Sequence, residues 1–263
     1  MKRRFLPNWQ VTGIYKFRFM KAMIMSAGKG TRLGKITETI PKVLVDINGK
    51  TLLQLAIEKC SRYGFDDIIV NVHYLAGMVE EEVNRLKKLG YKITVSDERD
   101  LLLENGGGLF KARDFFDKRP FLVYNADIVT DLDLSSLYNY HLKNRGLATL
   151  AVRNREGSRF LLVNSGGVLK GWCNIATGEK ILAEKEEEKL TRIGFSSIQI
   201  IEPEIFKYMK DGIYTVVSLY LELAASQNIH TFRYDDGYWF NVGTPAELEK
   251  VRVFLRSRKI KSR

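Results

Sequence analysis

Residues 26–33, with the sequence SAGKGTRL, form a glycine-rich segment directly after the first apolar run of the chain. Glycines such as Gly28 and Gly30 let a backbone approach a ligand closely, and successive N–H groups in such a loop form an anion-binding concavity. The guanidinium of Arg32 can donate two hydrogen bonds to phosphate oxygens at once. These residue types and their spacing predict triphosphate binding, although a plain strand-to-loop turn could contain the same glycines.

Two common phosphate-binding motifs do not fit this segment. The dinucleotide fingerprint GxGxxG needs its third glycine one position before Gly34, and it needs a following helix, which Pro41 cuts short. The P-loop motif GxxxxGK[ST] finds its ending at residues 49–51, but Leu44 occupies the position of its first glycine. The segment therefore matches neither motif, and a phosphate loop of another kind and a plain turn both stay open.

A carboxylate follows a second apolar run. Residues 120–124 are predicted to form a strand, and Asp127 stands just beyond it. Open α/β sheets bind their ligands at the carboxyl ends of strands, and a carboxylate there suits Mg²⁺, which prefers oxygen ligands. The alternative is a helix N-cap or a turn, because Asp131 and Asp133 lie nearby.

Pro41 and Lys42 complete the two-part pattern GxGTRLx(7)PK, which resembles the signature of the sugar nucleotidyltransferase (nucleotidyl transferase) family. The resemblance continues in order from about Met20 to Val251. Its later parts are LENGGG at residues 103–108, NAD at 125–127, the segment 195–206, and WFNVGTP at 239–245. The pattern is most similar to N-acetylmuramate-1-phosphate uridylyltransferases, with mannose- and heptose-1-phosphate guanylyltransferases next.

The resemblance implies a reaction in which a sugar 1-phosphate oxygen attacks the α-phosphorus of a nucleoside triphosphate and pyrophosphate leaves. UTP is favoured as the donor, GTP is next, and the product is an NDP-sugar. Arg32 would hold the β- and γ-phosphates, and Lys42 would bridge the α-phosphate and the sugar phosphate. Asp127 would bind the Mg²⁺ cofactor. Two anions must meet, so catalysis rests on charge neutralisation and positioning. The alternative for both cations is an ordinary exposed side chain.

Further site residues follow from the same resemblance. Backbone groups of Gly106 and Gly107 are expected to pair with the edge of the base, and Asn105 could bond uracil or guanine equally well. The alternative is a glycine-rich helix start without a ligand. The full set of expected nucleotide-binding residues is Ala27, Gly28, Gly30, Thr31, Arg32, Glu104, Asn105, Gly106 and Gly107. The expected sugar-binding residues are Ser196, Ser197 and Trp239.

Asn241 departs from the family pattern, which expects a second acidic metal ligand at this position. Its carbonyl oxygen can coordinate Mg²⁺ but neutralises no charge. Asp127 and Asn241 are therefore the expected metal ligands. The substitution leaves a second interpretation open, a nucleotide-binding regulatory homologue with weak or no turnover.

Strand-like and helix-like segments alternate in the first half of the chain. Predicted strands at residues 21–26, 67–72, 92–96 and 120–124 are separated by predicted helices that include 52–63 and 76–89. This order favours an α/β fold with a Rossmann-like, doubly wound, mostly parallel (mixed) sheet. The second half is less regular and would carry the sugar site within the same single domain. Its predicted strands are 148–152, 160–163, 168–172 and 195–201, and its predicted helices are 216–225 and 245–255.

The net charge of +11 is concentrated at the ends of the chain. Residues 1–19 and 256–263 each contain five basic residues and no acid, which leaves +1 for residues 20–255. We interpret these as a basic N-terminal extension, the nucleotidyltransferase domain (20–255) and a basic C-terminal tail. A nucleic-acid-binding surface built into the fold would keep its positive charge when the chain ends are removed, so we expect no nucleic-acid partner. No apolar run is long enough to span a membrane, so we expect no membrane partner either. Two cysteines without CxxC spacing favour the cytoplasm. A monomer and a homodimer are both compatible with the sequence.

Overall fold

The computed structural model describes residues 20–184 and 189–261. Expectations for residues 1–19 and for 262–263 lie outside the described residues, as do residues 185–188. The α-helices are α1 (Ile36–Thr39), α2 (Leu52–Arg62), α3 (Ala76–Lys88), α4 (Glu104–Lys111), α5 (Leu134–Asn144), α6 (Val216–Leu223) and α7 (Pro245–Lys261). The strands are β1 (Lys21–Met25), β2 (Asp67–Val72), β3 (Lys92–Asp97), β4 (Phe121–Asn125), β5 (Ile128–Thr130), β6 (Ala148–Arg153), β7 (Arg159–Val163), β8 (Leu169–Asn174), β9 (Lys180–Leu182), β10 (Thr191–Ile201), β11 (Ile229–Arg233) and β12 (Trp239–Asn241).

One mixed sheet organises the chain in the order β3-β2-β1-β4-β10-β7-β8-β9, with β6 and β11 attached through β10. The first four strands pair in parallel, whereas β10 runs antiparallel to β4, β6 and β7. The predicted α/β fold with a doubly wound, mixed sheet in a single domain is confirmed. Chain order reverses between β1 and β4, and ligands of open α/β sheets bind at such a switch point.

Both faces of the parallel strands are covered, as their nearly continuous apolar sequences predict. In β1, Ala22 and Ile24 belong to the core cluster that contains residues of α2, α3 and α5. Met23 points to the opposite cluster, which contains residues of α4 and α6. This alternation follows from the two-residue period of a strand, and it fixes where the carboxyl end of β1 emerges.

A small two-stranded ribbon supports the switch point from one side. In this ribbon β5 pairs antiparallel with β12, so that Ile128 lies opposite Asn241. Val129 of the ribbon and Val242, directly after it, pack with Leu33 and with Leu248 of α7 in a separate core cluster. The ribbon therefore joins the loop after β1, the turn after β4 and the closing segment of the chain.

The structure differs from the sequence-based expectations at helices α5 and α7, and the short strands β5, β9, β11 and β12 were not expected either. Helix α5 was not expected, although Leu134, Leu137, Tyr138 and His141 have helical spacing and are buried. Asp133 caps it by accepting hydrogen bonds from two backbone N–H groups of the first turn, at 2.8 and 3.1 Å.

Helix α7 was expected to end at residue 255, with a separate basic tail beyond it. The helix continues to Lys261, and the Arg256 Nε donates to the Asn48 Oδ1 at 2.8 Å. The first residues of the expected tail are therefore part of the folded domain. None of the helices in the described part of the chain has both the length and the apolar character that crossing a membrane requires.

Candidate active site

The glycine-rich loop leaves the carboxyl end of β1 and turns sharply. Gly30 has a φ of +69°, in the left-handed region, and a Cβ there would lie 2.7 Å from the Cβ of Lys42. Gly34 has φ +60° and ψ −133°, a conformation that glycine adopts readily and other residues do not. Between them, Thr31–Leu33 forms a 3₁₀ turn. Both glycines are required by the backbone path, and Gly30 lets the loop close over Lys42.

Lys42 lies beneath this loop and is almost buried, with 8% of its surface exposed. It begins the 3₁₀ turn Lys42–Leu44 directly after Pro41. Its Nζ donates to the Oδ2 of Asp127 at 2.5 Å. Asp127 occupies the turn between β4 and β5, and the neighbouring Ala126 N–H donates to the Met25 carbonyl of β1 at 3.0 Å. The ends of β1 and β4 thus place a cation and a carboxylate in contact.

Asn241 lies beside this pair, on β12 of the ribbon. The Val242 N–H donates to the backbone carbonyl of Asp127 at 2.9 Å, which fixes the closing segment against the turn. Asp127 Oδ1 and Asn241 Oδ1 are both buried and have no hydrogen-bond partner within the described ranges. Two unpaired buried oxygens of this kind are suitable ligands for a hard cation such as Mg²⁺.

Arg32 is exposed and extends from the loop towards the closing segment. A Cβ on Gly243 would lie 2.8 Å from the Arg32 Nη2, so a glycine at position 243 leaves the space that the guanidinium occupies. Gly243 N–H donates to the Glu247 Oε2 at 2.9 Å, which holds the closing segment at the start of α7. Nothing in residues 20–184 or 189–261 forms a hydrogen bond or ion pair with Arg32, so its donors are free for an anion.

Helix α4 forms the opposite wall and begins with a strained residue. Glu104 has a φ of +58°, which is unusual for a residue with a side chain and occurs often at functional sites. The Oδ1 of Asn105 accepts from the Val216 N–H at 2.8 Å. That bond fixes the orientation of the amide, so the Nδ2 group of Asn105 is available as a donor to a ligand.

The N–H groups of Gly106 and Gly107 are engaged within the protein, which corrects the expectation that they pair with the edge of the base. Both N–H groups point at the Tyr214 carbonyl, at 2.9 and 3.4 Å, so they are not available to a ligand. A Cβ on Gly106 would lie 2.6 Å from the Tyr214 ring, and one on Gly107 would lie 2.0 Å from the carbonyl oxygen of Gly212. These glycines serve the close packing of α4 against the segment before α6.

The two walls enclose a cavity of about 410 Å³ at the switch point between β1 and β4. Nine of the expected site residues line it. They are Ala27, Gly28, Gly30, Thr31, Arg32, Lys42, Glu104, Asn105 and Asp127. Gly106, Gly107, Asn241, Ser196, Ser197 and Trp239 are not part of its lining.

The expected sugar-binding residues lie together but differ in accessibility. The Trp239 indole N–H donates to the Ser196 carbonyl at 3.2 Å. Ser196 is fully buried, so its hydroxyl cannot contact a sugar, and the expectation for its side chain is corrected. Ser197 has a φ of +59° where the pairing of β10 with β6 is irregular. Ser197 and Trp239 are half-buried, and their contact with a sugar stays a prediction.

Several lining residues were missed by the sequence analysis, among them Lys29, Asn71, Leu102 and Asn125. Asn71 carried a signal, because it is a polar residue inside the otherwise apolar strand sequence IIVNV. Its burial at 3% exposure shows that it needs partners inside the protein.

Comparison with protein-family models matches residues 21–258 to the nucleotidyl transferase family. A UTP–glucose-1-phosphate uridylyltransferase from Synechocystis sp. is 34% identical over 207 residues, which are 73% of this chain and 52% of that protein. The chain thus spans about half the length of that relative. An N-acetylmuramate alpha-1-phosphate uridylyltransferase from Neisseria meningitidis serogroup B is 29% identical over 241 residues, 89% of this chain and 97% of that protein. A mannose-1-phosphate guanyltransferase from Yarrowia lipolytica is 29% identical over 90% of this chain and 65% of its own length.

Solved structures share the fold at low sequence identity. HddC from Yersinia pseudotuberculosis has a TM-score of 0.73 at 19% identity, covering 90% of this chain and 100% of that one. UDP-glucose pyrophosphorylase from Acinetobacter baumannii has a TM-score of 0.72 at 14% identity, covering 90% and 93%. At these identities the likeness establishes the architecture.

Proposed function

The chain belongs to the nucleotidyl transferase family, and we propose that it transfers a nucleoside monophosphate from an NTP to a sugar 1-phosphate, with release of pyrophosphate and formation of an NDP-sugar. The observation that carries the proposal is the contact between Lys42 and Asp127 beneath the glycine-rich loop, in a cavity that Arg32 also lines. The relatives named uridylyltransferases and guanyltransferases support it.

The cations of the cavity suit the two ends of a triphosphate. Arg32 is exposed and unpaired in the described structure, so it can hold the β- and γ-phosphates and stabilise the charge that develops on the leaving pyrophosphate. Lys42 is nearly buried, where its charge is screened less by water, and it contacts the α-phosphate and the incoming sugar phosphate in this proposal. Lys42 thereby reduces the repulsion between the two anions that must react.

Mg²⁺ is the proposed cofactor, and the donor set fits it. Asp127 and Asn241 would hold the ion with one oxygen each, and the described residues contain no group of three or more acidic, histidine or cysteine side chains suited to a metal. The remaining ligands would be water and substrate phosphate oxygens, as is common for Mg²⁺. When bound, the ion neutralises phosphate charge that the protein alone leaves uncompensated.

Asn105 supports uracil or guanine over cytosine or adenine. Its Oδ1 accepts from the Val216 N–H, so in this proposal its Nδ2 donates to the base. Uracil O4 and guanine O6 accept such a bond, whereas cytosine and adenine carry amino groups at the corresponding positions. We propose UTP as the preferred donor, with GTP next. We also propose a cytoplasmic location, which the two free, buried cysteines support.

The test is a panel that combines each of the four NTPs with a set of sugar 1-phosphates and Mg²⁺, with pyrophosphate release as the readout. The expected result is release with UTP or GTP and at least one sugar 1-phosphate. Tight nucleotide binding without release from any pair would favour the regulatory alternative that Asn241 suggested. That alternative is not favoured, because the relatives are named as transferases; the lining of one cavity by Arg32, Lys42 and Asp127 and the oxygen of Asn241 support the same conclusion.

A further inference from the structure

Glu98 is a buried carboxyl group outside the cavity lining, with 1% of its surface exposed. It stands directly after β3, where its N–H donates to the Val72 carbonyl at 2.8 Å. Burial raises the pKa of its carboxyl above the ordinary value, and this outweighs the hydrogen bond from Asn71, which lowers it. A buried carboxyl is costly compared with an apolar side chain of similar size, so its presence calls for a task.

One side of Glu98 connects to the glycine-rich loop. Its Oε1 accepts from the Asn71 Nδ2 at 2.9 Å, and the Asn71 Oδ1 accepts from the Ser26 N–H at 2.7 Å. The Ser26 hydroxyl donates to the Asn71 carbonyl. Asn71 can orient its amide in only one way when both bonds are made, because its carbonyl oxygen must face Ser26. Ser26 is the first residue of the loop, so this chain of bonds fixes where the loop leaves β1.

The other side of Glu98 faces α4. A Cβ on Gly108 would lie 2.6 Å from the Glu98 Oε1 and 3.3 Å from the Asn71 Nδ2. The third glycine of the helix therefore lets α4 pack directly onto the carboxyl–amide pair. The backbone of Leu103 also lowers the pKa of Glu98, so the carboxyl lies near the segment before the helix, while its Oε2 has no hydrogen-bond partner among the described residues. Glu98 thus lies directly against α4 and is connected to the glycine-rich loop through Asn71.

We propose that Glu98 is a positioning residue that holds the glycine-rich loop and helix α4 at the separation that the nucleotide requires. The inference rests on the proposed function, since it assigns Glu98 to binding of the NTP and not of the sugar 1-phosphate. Glu98 itself touches no substrate and acts through Asn71, Ser26 and Gly108.

The test compares Glu98→Ala with Glu98→Gln in steady-state kinetics. Removing the acceptor for Asn71 should raise the KM for the NTP about tenfold, the equivalent of one hydrogen bond of about 1.4 kcal/mol. The KM for the sugar 1-phosphate and kcat should stay within about twofold. Glu98→Gln keeps an oxygen for Asn71 and should remain near wild type. Ser96→Ala is the matched control, since Ser96 is also buried on β3, with 8% of its surface exposed, and its side chain makes no hydrogen bond to this network in the described structure.

A second measurement needs no activity. Hydrogen exchange of the Ser26 amide in the ligand-free protein should accelerate about tenfold in Glu98→Ala and stay unchanged in Glu98→Gln and Ser96→Ala. If wild type shows no turnover, the proposed function fails while this readout still tests the position of the loop. A folded Glu98→Ala protein with wild-type Ser26 exchange would overturn the inference, as would equal rises in both KM values with a lowered Tm.

Discussion

Replacing Gly107 by alanine tests whether the glycines of α4 serve packing. The new Cβ would lie 2.0 Å from the Gly212 carbonyl oxygen and 3.1 Å from the Leu103 Cβ. Carbon and oxygen atoms that are not bonded keep a distance of about 3 Å or more, so the backbone must move by about 1 Å. The atom in the way is a backbone oxygen, which cannot rotate away as a side chain would.

The expected cost follows from two opposing effects. Overpacking of this kind costs about 1–3 kcal/mol, and a clash with backbone belongs at the upper end. Alanine in place of glycine inside a helix contributes up to about 1 kcal/mol in the other direction. The net expectation is a loss of about 2 kcal/mol, or about 4–8 °C in Tm for a domain of this size.

The assay is thermal and urea unfolding of Gly107→Ala beside Gly77→Ala. Gly77 lies in the exposed first turn of α3, and a Cβ there meets no atom within 4 Å. The control should therefore be neutral or slightly stabilised. Because Tyr214 and Gly212 would shift with the clash, Gly107→Ala should also weaken NTP binding. Stability of Gly107→Ala equal to that of the control would refute the packing argument and reopen the role of these glycines in base recognition.

Three further predictions concern charge. Asp127→Ala should abolish Mg²⁺-dependent turnover and destabilise the fold by about 2 kcal/mol, because it leaves the nearly buried Lys42 without its partner. The double variant with Lys42→Met should regain stability but not turnover. A stable, active Asp127→Ala would contradict the assignment. Asn241→Asp should shift activity to lower Mg²⁺ concentration, since it adds an anion beside a dication; an unchanged metal titration would remove position 241 from the site. Burial lowers the pKa of His141 to about 4, so as pH drops the unfolded chain binds this proton before the folded one does. The free energy of unfolding should therefore fall by up to about 3 kcal/mol between about pH 6.5 and 4. Urea unfolding at several pH values should show a smaller fall in His141→Gln, and an equal fall would refute this cause.

The parts of the site that follow one another closely in the sequence were predictable from it. The GxGTRL and PK segments predicted the loop and the cations, and the structure places Arg32 and Lys42 in one cavity. Asp127 was predictable from its position directly after the apolar run of β4, because parallel strands bring their carboxyl ends to one edge of the sheet.

The parts that the sequence did not reveal depend on partners far away along the chain. The N–H groups of Gly106 and Gly107 looked free until Tyr214, more than 100 residues later, was seen to accept from them. The role of Asn71 likewise depends on both Ser26 and Glu98. Local periodicity carries no information about such pairings, whereas it located most strands and helices within a few residues.

The most direct test of the proposed chemistry is the reverse reaction, in which labelled pyrophosphate and the NDP-sugar form labelled NTP. The protein is incubated with Mg²⁺, radiolabelled pyrophosphate and the NDP-sugar identified by the substrate panel, and the recovered NTP is analysed. We expect label in the β- and γ-phosphates of the NTP, with one sugar 1-phosphate released for each NTP formed. Arg32→Ala should form far less labelled NTP. Nucleotide binding without any labelled NTP, under conditions where the NDP-sugar is also bound, would contradict the proposed transfer.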